Sequence, residues 1–246
     1  MNSVSSTQDP WPENPEIRAF LFDLDGVLTP TLEIHIQAWK ETFDDYLVPR
    51  DLQPFTLDEY YRFVDGRRRY DGVQALLASR GIELAWGSES DAELTTVCGI
   101  GNAKNKTFQS VLKRDGIKPY PGSLKFLKML HNSSVAVAVV SSSQNATAVL
   151  QAAGIADFFQ IVVDGNVARQ QNLAGKPHPD TYLYAAKQLR VQPEHAAVVE
   201  DALSGVAAGQ AGKFSMVIGV DRGSGEQALR DAGADSVVTD LEDLII

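Results

Sequence analysis

Residues 19–43 read "AFLFDLDGVLTPTLEIHIQAWKETF", and the stretch changes character halfway along. Four apolar residues lead into Asp23 and Asp25, two carboxylates around one leucine, and the chain then turns at Gly26. It resumes with a helical pattern that spaces Thr31, His35 and Trp39 four residues apart, on one helix face. A strand that is apolar throughout and ends in acids suits a buried parallel sheet, whose ligands bind beyond the carboxyl ends of its strands.

Further apolar runs fit that frame, at 135–140, 160–163, 196–199, 215–220 and 236–239. Helical patterns fill most gaps between them, for example 121–132, 144–153, 179–190 and 225–232. The alternation predicts an α/β fold, a Rossmann-like parallel sheet covered by helices. One gap breaks the rule. Between the first and second runs lie more than a hundred residues of largely helical pattern, punctuated by Gly66, Gly72, Gly81 and Gly87. A helical cap domain inserted at 32–118 accounts for it, leaving 16–31 and 119–246 as the core.

Bulk properties narrow the function. The chain has 246 residues, 44% of them hydrophobic, with 22 basic and 32 acidic residues and a net charge of −10. An acidic chain lacks the basic face that nucleic acid or an anionic membrane requires. The insertion carries 12 of the basic and 14 of the acidic residues, so most of the negative charge lies in the core. Cys98, the single cysteine, excludes an internal disulfide and fits a reducing compartment. The opening "MNSVSSTQDPWPENPE" has neither a basic nor an apolar signal region, and residues 1–15 read as a mobile tail. A cytoplasmic protein is expected. Oligomeric state is not legible, and a monomer is compatible with everything here.

The polar residues at the predicted strand ends carry the chemistry. Beyond Asp23 and Asp25 these are Ser141 to Asn145 in "VVSSSQN", Lys176 in "GKPHPD" and Glu200-Asp201 in "VVED". Carboxylates crowded at one sheet edge need a cation or must hold protons. All-oxygen donors without histidine or cysteine suit a hard ion, Mg2+ first. A calcium-loop reading of "DLDG" fails, because that loop wants glycine at its sixth position and Gly26 falls at the fourth. Asp-x-Asp alone would serve equally as a capped turn, and the tri-basic run Arg67–Arg69 alone reads as a solvated turn.

Taken in order, Asp23-x-Asp25, Ser141, Lys176 and Glu200-Asp201 resemble the four motifs of the haloacid dehalogenase superfamily, over nearly the whole chain from residue 17. The resemblance implies that Asp23 is a nucleophile that becomes an aspartyl phosphate and that Asp25 is the general acid/base. It places Mg2+ at Asp23, Asp201 and the backbone carbonyl of Asp25, helped by Glu200. Ser141 and Lys176 would hold phosphoryl oxygens.

Within the cap, "TxxxHxxAWK" after "DLDGVLT", then "DGRRRYDG", then "KNK" at 104–106, is similar to the β-phosphoglucomutase branch. On that similarity Thr31 lies in the hinge, and His35 couples cap closure to proton transfer at Asp25. Arg69 binds the far phosphate of the sugar, and Lys104 and Asn105 contact substrate, with Trp39 and Gly66 completing the cap set. Ser143, Gln144 and Asn145 continue the phosphate loop after Ser141. Two positions depart from the branch. Pro30 stands where an aspartate is frequent, and Gln144 stands where the familiar pattern has a lysine, which loses a charge. The expected reaction is Mg2+-dependent interconversion of β-D-glucose 1-phosphate and glucose 6-phosphate through the 1,6-bisphosphate. The expected partners are small sugar phosphates. A sugar-phosphate phosphatase shares the core motifs and is the rival among enzymes, and a silent sugar-phosphate-binding module is the rival outside them.

Overall fold

The computed structural model describes residues 17–245, so the segment read as a tail lies outside the described residues. Six parallel strands, β1 (Ala19–Phe22), β2 (Ala136–Val140), β3 (Ile161–Val163), β4 (Ala196–Glu200), β5 (Met216–Val220) and β6 (Ser236–Val238), form one sheet in the order β3-β2-β1-β4-β5-β6. All six coincide with apolar runs, because a strand packed on both faces has no use for polar alternation. β1 pairs with β2 on one side and with β4 on the other, with Phe22 opposite both Val139 and Val199. The chain order reverses between β1 and β4, which is where an open α/β sheet leaves a crevice.

Helices α5 (Pro121–His131) and α6 (Ala146–Ala152) cover one face, with Phe20, Phe22, Phe126 and Val149 in the shared core. The other face buries Leu21, Val140 and Val198 against Tyr182 and Ala185 of helix α8 (Asp180–Gln188). Helix α9 (Leu203–Ala211) follows β4 directly, and α7 (Gly165–Gln170) follows β3.

The long insertion contributes α1 (Leu32–Leu47), a single turn α2 (Leu57–Glu59) running into a π-helical turn at Tyr60–Val64, α3 (Arg69–Ser79) and α4 (Val97–Asp115). It has its own apolar cluster, built from Trp39, Phe43, Tyr46, Leu76, Leu77 and Ile100. Parts of α1 and α4 also reach the other lobe. Ala38 and Phe108 pack with the sheet core, so these two helices are the struts joining the lobes. One expectation needs correcting, since residues 81–96 are irregular rather than helical. Gly81 and Gly87 take positive φ, and Asp91 accepts from Ser88 N–H and from Thr96 Oγ1. Side-chain turns of this kind compete with a helix for the backbone.

Candidate active site

Each core residue is set by a strand end. Asp23 leaves β1 buried, and its Oδ2 accepts from Asp25 N–H at 2.9 Å. Its Oδ1 pairs with Lys176 Nζ, which also donates to the Val140 carbonyl at 3.1 Å and to Glu200 Oε1 at 2.5 Å. Burial works against that ammonium, but Asp23 and Glu200 hold it above its ordinary value. Glu200 is saturated: Tyr182 donates to Oε1 at 2.8 Å, and Asp201 N–H and Ala202 N–H donate to Oε2 at 3.1 Å. Its role is to seat Lys176 and fix the turn after β4. Asp201 instead faces Gly26, where a Cβ would lie 1.8 Å from Oδ2 and where φ is +86°, so only glycine fits.

Asp25 has different surroundings. Thr31 Oγ1 donates to its Oδ1 at 2.5 Å, Ser141 Oγ stands 3.4 Å from Oδ2, and His35 Nε2 stands 3.3 Å from Oδ1. Behind the imidazole, Lys104 Nζ lies 2.5 Å from His35 Nδ1, over the rings of Trp39 and Phe108. Two cations cannot share that spacing, so the pair carries at most one extra proton at neutral pH. Burial and the charge of Arg69 push Lys104 down to about 7, and burial with Lys104 pushes His35 down. Burial would raise Asp25, but the positive charge at His35, hydrogen bonds from His35 and Thr31, and Lys104 bring it down to about 2.

The cap meets the core at several polar contacts. Ser142 Oγ donates to the Gly66 carbonyl at 2.7 Å, and Ser204 Oγ to the Asp65 carbonyl at 3.1 Å. Asn105 Oδ1 accepts from both Arg69 Nη2 at 2.9 Å and Asn145 Nδ2 at 2.7 Å, tying α3 and α4 to the loop after β2. Farther out, Arg169 of α7 pairs with Glu89 of the irregular segment. A cavity of about 290 Å³ lies between the lobes. Asp23, Asp25, His35, Trp39, Gly66, Arg69, Lys104, Asn105, Ser143, Gln144, Asn145 and Asp201 all line it.

A model of haloacid dehalogenase-like hydrolases matches residues 17–213. A beta-phosphoglucomutase of Mycobacterium tuberculosis is 47% identical over 241 residues, covering 94% of this chain and 92% of that one. The chain belongs to the haloacid dehalogenase-like hydrolases. A beta-phosphoglucomutase of Bacillus subtilis is 32% identical, covering 94% of this chain and 92% of that protein. Among solved structures, a beta-phosphoglucomutase from Clostridium difficile superposes with a TM-score of 0.76 at 25% identity, covering 93% of each chain.

Haloacid dehalogenase-like enzymes are associated with Mg2+, and the residues here fit a divalent cation. Carboxylate oxygens of Asp23, Glu200 and Asp201 lie within 4.8 Å of one another, all buried. One lysine cannot balance them. Burial, with the charges of Glu200 and Asp25, raises Asp23 well above the carboxylate range against the pull of Lys176. Burial with Asp65, Asp23 and Glu200 does the same to Asp201. With Glu200 saturated, the oxygens free for a metal are those of Asp23 and Asp201.

Ser141 and Lys176 are buried behind the two aspartates rather than lining the cavity, and Thr31 bonds Asp25 directly. Trp39 is stacked on Phe43 and faces Lys104, in the cap's own packing. Several cavity residues had no reading of their own in the sequence, among them Asp65, Trp86, Glu89 and Arg169, and the run Arg67–Arg69, which alone reads as a solvated turn, lines the cavity too. Asp65 is held near 7, raised mainly by burial. Its place before Gly66 was the one available signal.

Proposed function

We propose that this chain is a Mg2+-dependent β-phosphoglucomutase that interconverts β-D-glucose 1-phosphate and glucose 6-phosphate through a bound 1,6-bisphosphate. The observation that carries the proposal is the Asp23–Asp25 pair facing a cap whose Arg69 and Asn105 form one network with Asn145 of the core. Relatives named beta-phosphoglucomutase support it across almost the whole chain. With Asp23 phosphorylated, a hydroxyl of β-glucose 1-phosphate attacks the phosphorus, the Asp23–phosphorus bond breaks, and the hydroxyl proton passes to the Asp25 carboxylate. In the second half Asp23 attacks the other phosphate of the turned bisphosphate, a P–O bond to the sugar breaks, and Asp25 returns that proton to the departing sugar oxygen. Thr31 and the single positive charge of the His35–Lys104 pair keep Asp25 ionised until that proton arrives. Lys176 offsets charge between Asp23 and the incoming phosphate. Mg2+, held by Asp23, Asp201 and the Asp25 carbonyl, would neutralise phosphoryl charge.

The sugar must turn end for end between the halves, so a second phosphate site is required, and Arg69 with Asn105, Ser143 and Asn145 is assigned to it. A phosphatase would share the core residues, but the interlobe contacts favour transfer over hydrolysis by keeping water out. A silent binding module has no use for a paired nucleophile and acid. We place the chain in the cytoplasm, a reading that the single buried cysteine is compatible with. The test is the product of β-glucose 1-phosphate with Mg2+ and bisphosphate primer: glucose 6-phosphate should outrun inorganic phosphate many-fold. Free phosphate as the main product at every primer level would hand the chain to the phosphatases.

A further inference from the structure

The charge at the second phosphate does not balance on the residues assigned so far. A phosphate monoester carries about −1.5 to −2 at neutral pH. The core end meets it with Lys176 and a metal site. At the cap end Arg69 supplies one positive charge, while Asn105, Asn145 and Gln144 supply none. Lys104 is committed to His35 and sits near half-protonation at neutral pH. Arg169 is paired with Glu89.

Arg68 precedes Arg69 and lines the same cavity. Its Nη2 is buried and has no hydrogen-bond partner among the described residues. A guanidinium donor out of bulk water with no protein acceptor is costly, and native structures rarely leave one without a ligand or water oxygen to receive it. The side chain is also seated on purpose-shaped backbone. A Cβ on Gly175 would fall 2.8 Å from Arg68 Nε and 3.0 Å from its Cγ and Cδ. The bare backbone at Gly175 leaves room for an arginine from the cap to lie against the loop that leads to Lys176. Arg67 shares the cavity wall without either feature.

We propose that Arg68 is a substrate-binding residue, a second guanidinium that donates through Nη2 to the non-transferring phosphate and supplies the charge that Gln144 does not. The proposal rests on the bisphosphate reading above and assigns a new ligand to its second site. A planar fork suits a phosphate better than an ammonium does.

The test is calorimetric binding of β-glucose 1,6-bisphosphate with Mg2+ to the full chain carrying Asp23→Asn, so that turnover does not intervene. Adding Arg68→Ala should weaken binding by about ten- to a hundredfold, the range of a charge-assisted contact. Arg68→Lys, which keeps stem and charge without the fork, should lose roughly threefold or more and serves if the alanine variant does not fold. Adding Gln144→Lys to Arg68→Ala should recover part of the loss, because a lysine there returns charge to the same phosphate; a packing role for Arg68 would not respond. Unchanged affinity in Arg68→Ala or Arg68→Lys would overturn the proposal. So would an equal loss in Arg67→Ala, or no recovery with Gln144→Lys. The mutase reading is judged apart, by glucose 6-phosphate formation in the unmodified chain; binding needs no turnover, so either can fail alone.

Discussion

Asp23 and Asp25 are two residues apart and have opposite surroundings. Asp23 is walled in beside Glu200 and Lys176, whereas Asp25 takes hydrogen bonds and positive charge from the cap side. In the proposed reaction that difference assigns one carboxylate to phosphorus and the other to the proton. Asp25→Ala keeps the backbone carbonyl assigned to the metal, so Mg2+ affinity should stay near wild type while turnover falls by about 10²–10⁴. A severe loss of Mg2+ affinity would make the side chain a ligand. Lys104 gives a second test at this scale. Its value of about 7 lies below the ordinary 10.5. Between those values the unfolded chain holds a proton that the folded chain releases, so Lys104 makes stability rise with pH across that window. Urea unfolding of wild type minus Lys104→Met should climb from about pH 7 toward 10 and be flat below 7. A flat difference throughout would mean a charged lysine in the fold. Asp23, Asp25, His35 and Lys104 were all legible in the sequence, but their mutual contacts were not. The 2.5 Å approach of Lys104 to His35 joins residues 69 positions apart, and no local pattern reports that.

At the scale of elements, the six strands were legible because burial on both faces writes an unbroken apolar run. Within the insertion, segment 81–96 is irregular where a helical pattern is expected. Its structure depends on Asn102 Nδ2, which donates to the carbonyls of Glu89 and Asp91 at 3.0 and 2.9 Å from the next helix. That tertiary clamp presents Glu89 to Arg169, a bridge between lobes whose side chains are about half exposed (53% and 51%). Exposed pairs are worth about 0.2–1 kcal/mol. Glu89→Gln should therefore raise hydrolysis relative to phosphoryl transfer by roughly 1.5- to 5-fold, measured as inorganic phosphate per glucose 6-phosphate. An unchanged ratio would show that the bridge does not hold the cap down.

The whole molecule is two packed lobes joined by α1 and α4, with Asp23 and Asp25 on the sheet side and Arg69 on the cap side. Its metal site should be visible without chemistry, because a ligand that binds only the folded state raises stability by mass action. Mg2+ at a hundred times its dissociation constant should add about 2.7 kcal/mol and a matching rise in Tm. Asp201→Ala should abolish that rise; if it persists, the ion binds elsewhere. The central claim is that Asp23 carries a phosphoryl group which the closed cap passes to sugar and not to water. The direct measurement is a single turnover: bisphosphate labelled in its transferable phosphate loads the enzyme, and excess β-glucose 1-phosphate is added with Mg2+. Label should appear in glucose bisphosphate and then glucose 6-phosphate, with only a trace in inorganic phosphate and none transferred by Asp23→Asn. Label released chiefly as inorganic phosphate, or transfer surviving in Asp23→Asn, would contradict it.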